Sequence, residues 1–89
     1  MVERYKDPEM QEVIKRYIRA AMAEENVSYS KLSERLRQVG VIQNESTLRT
    51  KVSTGLMTTS LYIHILNALD IDNLSIADLM QRYSRLRSE

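Results

Sequence analysis

Residues 45–54 read ESTLRTKVST, ten residues of which five are serine or threonine. On a helix turning by about 100° per residue, Leu48 and Val52 share one side. Ser46, Thr50 and Ser53 fall on the opposite side, with Arg49 at one edge and Thr47 and Thr54 at the other. Hydroxyls both donate and accept hydrogen bonds, and the guanidinium adds a fixed fork of donors. A merely solvated helix face is normally built from Glu, Lys, Gln and Ala, which favour the helix. Short polar groups beside an arginine suit close approach to a second polar surface, such as base edges in a DNA major groove. The competing reading is an ordinary marginal surface helix.

The stretch just before it supports the first reading. Lys31 and Arg35 lie four residues apart beside a Leu32–Leu36 seam, placed to reach phosphates flanking a groove. Ser28, Tyr29 and Ser30 open that segment, where backbone N–H groups and hydroxyls can meet phosphate.

These side chains need helices to hold them. Asp7 and Pro8 start a first helix whose apolar stripe runs through Met10, Val13, Ile14, Tyr17, Ile18, Ala21 and Met22 and which ends near Asn26. Ser28 caps a second, with Leu32, Leu36 and Val39 as its inner face and Gly40 after it. Val41 and Ile42 form a connector expected to pack inward. A third helix starts at Asn44 or Glu45 and ends before Gly55. It is poor by intrinsic propensity, so the Leu48–Val52 seam must hold it. Thr58 or Thr59 caps a fourth, apolar on most sides from Leu61 to Leu69. Ser75 and Asp78 suggest a capping box for a fifth through Leu79, Met80, Tyr83 and Leu86. No strand alternation and no repeat is visible. The expectation is an all-α, compact five-helix domain spanning 1–89, with an N-terminal arm (1–7), a helical pair (28–55) and a C-terminal helix (75–89).

Composition narrows the function. The chain has 89 residues, no Cys and one His, which excludes disulfides, thiolate catalysis and Cys- or His-rich metal sites. No cofactor and no metal are expected. No apolar run approaches the roughly 18 residues of a membrane span. MVERYKDPEM lacks an apolar h-region, so a signal peptide is not expected and a cytoplasmic, nucleoid-associated location is. His64, Tyr62, Met10, Met22 and Met80 read as core or boundary residues. Paired carboxylates, a Gly-rich phosphate loop and a nucleophile–base set are all missing, so an enzyme is not expected. The net charge is only +1, but residues 28–55 carry five bases against Glu34 and Glu45. Positive charge peaks where the polar helix lies.

The pair resembles the helix-turn-helix of lambda-repressor-like (Xre/Cro-type) regulators. SYSKLSERL at 28–36 looks like the first motif helix, with Leu32 and Leu36 at its buried leucines and Ser33 at a position that favours a small residue. TLRTKVSTG at 47–55 looks like the recognition helix, and LYIHILNALD at 61–70 like the fourth. The order Ser-x-x-x-Leu-Ser-x-x-Leu, Leu-Arg-x-Lys-Val-Ser-x-Gly, then an apolar helix is closer still to a family of small, functionally uncharacterised bacterial proteins. Eleven residues separate Leu36 from Leu48, more than the ordinary tight turn, and Tyr29 stands where a phosphate-contacting Gln is common.

The resemblance implies a sequence-specific double-stranded DNA-binding regulator. Asn44, Ser46, Thr47, Arg49, Thr50 and Ser53 would face the groove, Arg49 being the best candidate to read guanine. Ser28, Tyr29, Ser30, Lys31, Arg35 and Lys51, with Arg37, would contact the backbone. A homodimer is expected, because a small domain needs two half-sites, with Ile63, Tyr83 and Leu86 as its interface. The alternative is a helical protein–protein interaction module, an adaptor or antitoxin-like partner, that keeps the fold without DNA binding. The near-neutral charge and enlarged turn favour it.

Overall fold

The computed structural model describes residues 6–88. Five helices follow in order: α1 (Pro8–Glu24), α2 (Tyr29–Gln38), α3 (Glu45–Thr54), α4 (Thr59–Ala68) and α5 (Ile76–Ser88). No strand occurs among the described residues, and the all-α, five-helix architecture agrees with the sequence reading. Residues 1–5 of the expected arm lie outside the described residues.

Each helix starts on a side chain that accepts an otherwise orphaned N–H. Asp7 takes that of Met10 (3.0 Å), Ser28 that of Lys31 (3.1 Å), Asn44 that of Thr47 (2.8 Å) and Thr58 that of Leu61 (3.2 Å). Ser75 does the same for Asp78 at 3.1 Å. The capping box expected there is only half made, because the Asp78 carboxylate turns to Arg82 instead.

The first four helices also end alike. Asn26, Gly40, Gly55 and Asp70 take positive φ. The next residue sends its N–H back to the carbonyl five residues earlier: Val27 to Met22, Val41 to Leu36, Leu56 to Lys51 and Ile71 to Leu66. That is the Schellman arrangement, and it turns the following apolar residue toward the helix just left. Val27, Val41 and Ile71 accordingly join the core cluster, whereas Leu56 stays exposed.

The core is formed chiefly by Ile18 of α1, Leu32 and Leu36 of α2, Leu48 and Val52 of α3, and Ile65 of α4 with Leu69 just beyond it. α1 packs against α3 and α5, and α2 against α3 and α4. Complete burial of Leu48 and Val52 is what holds α3. Two such side chains contribute about 3–6 kcal/mol. The five Ser and Thr residues of α3 cost roughly 2–3 kcal/mol relative to Ala, so burial wins.

Three apolar side chains expected inside are not. Val39 is 57% exposed and Ile42 68% exposed. α2 ends at Gln38, and the left-handed turn at Gly40 aims Val41 alone at the core, leaving its neighbours on the solvent side. Met80 is also exposed, while Leu79 beside it supplies the buried contact of α5.

Candidate nucleic-acid interface

α3 exposes Ser46, Arg49, Thr50, Ser53 and Thr54, with Asn44 exposed at its start and Thr47 half-buried. The hydroxyl face therefore points to solvent, and the seam behind it is dry. The hydroxyl protons of Ser46, Thr50, Ser53 and Thr54 are already committed. Thr50 donates to the Ser46 carbonyl (3.1 Å), Ser53 to the Thr50 carbonyl (3.1 Å) and Thr54 to the same carbonyl (2.9 Å). Ser46 donates to Asn44 Oδ1 at 3.0 Å. Such back-bonding lets short side chains sit on a helix without unmet donors. It leaves oxygen lone pairs outward, and turning a hydroxyl rotor would present the proton instead.

Arg49 occupies the edge of this face rather than its middle. Its guanidinium lies over the Tyr29 ring, 5.2 Å from the centroid, and 3.7 Å from the Glu45 carboxylate. With both partners largely solvated, the ion pair is weak and separable. α3 and the start of α2 are thus joined by one stacked arginine.

Lys31 and Ser30 are exposed, and Ser28 uses its oxygen as the α2 cap. Arg35 has one of its donors committed within the fold. It is half-buried and donates to the Ala68 carbonyl at the end of α4 (2.8 Å), so α2 uses it to close a neighbouring helix. Lys51 is half-buried and donates to Gln43 Oε1 (3.1 Å); that partner is neutral, so the charge survives.

The enlarged turn is pinned from inside. Ser33, buried on α2, donates to the Gln43 carbonyl at 2.5 Å. The position that admits a small side chain also supplies a hydroxyl that fixes the connector. Arg37 shares the cleft between α2 and the start of α3 with Glu34 and Glu45, which lower its local potential.

Sequence reasoning missed Arg19. It is exposed on α1 and lines a groove with Ser28, Tyr29, Glu45 and Arg49. Its polar-face position was legible, but nothing along the chain said that this part of α1 lies beside α3.

The three residues expected to form a dimer surface are divided. Ile63 is 54% exposed on a groove with Leu66, Ile71 and Leu74. Leu86 is half-buried and lines a different cleft, with Val13 of α1, because α5 packs on α1. Tyr83, also half-buried, accepts a hydrogen bond from Arg87 (3.0 Å). His64 is exposed. No cluster of metal-ligating side chains occurs among the described residues, and no described helix is long and apolar enough to cross a membrane.

Neither a curated protein nor a solved structure matches the chain. Residues 10–74, from the apolar stripe of α1 to the end of the loop after α4, match the family described as Domain of unknown function (DUF6471). With well over half of its length matched, the chain belongs to that family.

Proposed function

We propose that this protein is a sequence-specific double-stranded DNA-binding regulator of the lambda-repressor-like kind, with α3 entering the major groove. One observation carries the reading: the face of Ser46, Arg49, Thr50 and Ser53 is uncovered by the rest of the fold, while Leu48 and Val52 behind it are wholly buried. Asn44, Ser46, Thr47, Arg49, Thr50 and Ser53 contact base edges. Ser28, Tyr29, Ser30, Lys31, Arg35 and Lys51, with Arg37, contact the sugar–phosphate backbone. The protein acts as a homodimer without catalysis, in the cytoplasm and on the nucleoid.

The test is a binding selection from random duplexes followed by anisotropy titration. Arg49→Ala should lose about 1–3 kcal/mol of base discrimination, and Lys31→Ala should weaken all duplexes alike. No binding to any duplex at low salt removes the reading.

A second reading, the protein–protein interaction module, draws support from the exposed Val39 and Ile42 of the enlarged connector. A stoichiometric protein complex broken by Ile42→Ser and indifferent to Arg49→Ala would favour it.

A further inference from the structure

A second polar constellation lies away from α3. The cleft between α1 and α5 has an apolar floor of Val13 and Leu86, with Arg16, Arg82 and Arg85 around it. Its volume is about 210 Å³. That is below the roughly 300–1,000 Å³ typical of sites for drug-sized ligands.

Two of the three guanidiniums are held in position. Arg16 Nε donates to Glu12 at 2.8 Å, and Arg82 Nε donates to Asp78 at 3.1 Å. Arg82 also lies over the Tyr17 ring, 5.5 Å from its centroid. Both acids are met at Nε alone, so the Nη ends keep their donors. Arg85 is exposed and meets no acid among the described residues.

Charge is also unbalanced here. Glu12 is shared between Arg16 and Lys15, the latter at 2.7 Å, and the two cations hold it below the ordinary carboxylate range. The cleft itself is lined by three arginines, Arg16, Arg82 and Arg85, and by no carboxylate, while Glu12 and Asp78 meet Arg16 and Arg82 at its edge and Asp7 and Glu9 act on Arg87 beyond it. Like charges gathered at a cleft focus a positive potential into it, and guanidinium forks match carboxylate and phosphate oxygens. Val13 and Leu86 add an apolar contact that inorganic anions cannot use.

We propose that the α1–α5 cleft binds a small organic anion, a carboxylate or phosphate borne on a compact apolar body. The site is independent of DNA binding by α3.

The test is an amide NMR titration of the full chain with benzoate, phenyl phosphate, inorganic phosphate and benzyl alcohol. At least one aromatic anion should move the Val13, Arg16, Arg82, Arg85 and Leu86 signals saturably. It should bind at least fivefold more tightly than either inorganic phosphate or the neutral alcohol, and the ratio of benzoate to phenyl phosphate identifies the head group. Arg85→Gln, an exposed change that leaves the fold intact, should weaken that anion at least fivefold, while Lys31→Ala should not. Non-saturating shifts spread over all surface arginines would overturn the proposal. So would equal binding of inorganic phosphate, an Arg85→Gln variant that binds like the parent, or duplex DNA moving the same signals.

Discussion

Gly55, which ends α3, lies against the main chain of Gln11 in α1. A Cβ built on it would stand 2.8 Å from the Gln11 Cα and carbonyl carbon, closer than such atoms approach. Its φ of +67° is left-handed as well. The same glycine therefore terminates the candidate recognition helix and lets it dock on α1.

Gly55→Ala should cost about 2–5 kcal/mol, combining left-handed strain with backbone collision. Gly40, at φ +82°, has nothing within 4 Å of its built Cβ. Gly40→Ala should cost only the strain, about 1–2 kcal/mol. Urea denaturation of both variants checks the contrast; equal losses would contradict the close approach.

Arg35→Gln should lower stability by about 1–2 kcal/mol, because the Ala68 carbonyl loses a charged donor. Lys31→Ala should leave the melting temperature within error, since Lys31 is exposed. Thermal unfolding of the two variants separates the α4 clasp from the backbone-contact candidate.

Ser33→Ala should cost about 1–2 kcal/mol by leaving the Gln43 carbonyl without its donor. Hydrogen exchange across residues 39–44 should quicken in this variant more than exchange in α1.

Tyr62 packs against the core, and its buried hydroxyl finds no hydrogen-bond partner among the described residues. Tyr62→Phe should be neutral or stabilise by up to about 1 kcal/mol, because an unmet polar atom is removed. Burial, and then the proximity of Tyr17, raise its pKa above the ordinary tyrosine value. The folded form thus holds this proton more tightly than the unfolded chain. Its contribution is complete below the unfolded pKa and is lost as pH rises through the folded one. Stability of the parent should therefore fall above about pH 10, and the Phe variant should fall less.

For the proposed DNA complex, Arg49 is given to a base edge, leaving Lys31, Arg35, Arg37 and Lys51 as the cations on phosphates. Log K against log salt should then slope at roughly −3 to −4 per protomer. A flat salt dependence measured by anisotropy would contradict a phosphate-backbone interface.

What the sequence determined by itself was local. Asp7, Ser28 and Ser75 were recognisable as caps, and Asn44 and Thr58 each as one of two adjacent candidates, because each bonds a backbone group within three residues. The Leu48–Val52 seam and the solvent-facing hydroxyls followed from helical periodicity, which needs no partner to be read. Tertiary structure decided everything that depended on who lies beside whom. It drew Arg35 to a carbonyl 33 residues away, set Arg49 on Tyr29, and parted Ile63 from Leu86 by packing α5 on α1. It also turned Val39 and Ile42 outward, since one left-handed residue redirects a chain whose hydropathy alone pointed in. Long side chains reach across helices, and their partners are chosen by docking angles to which many distant contacts contribute, each small and none visible along the chain.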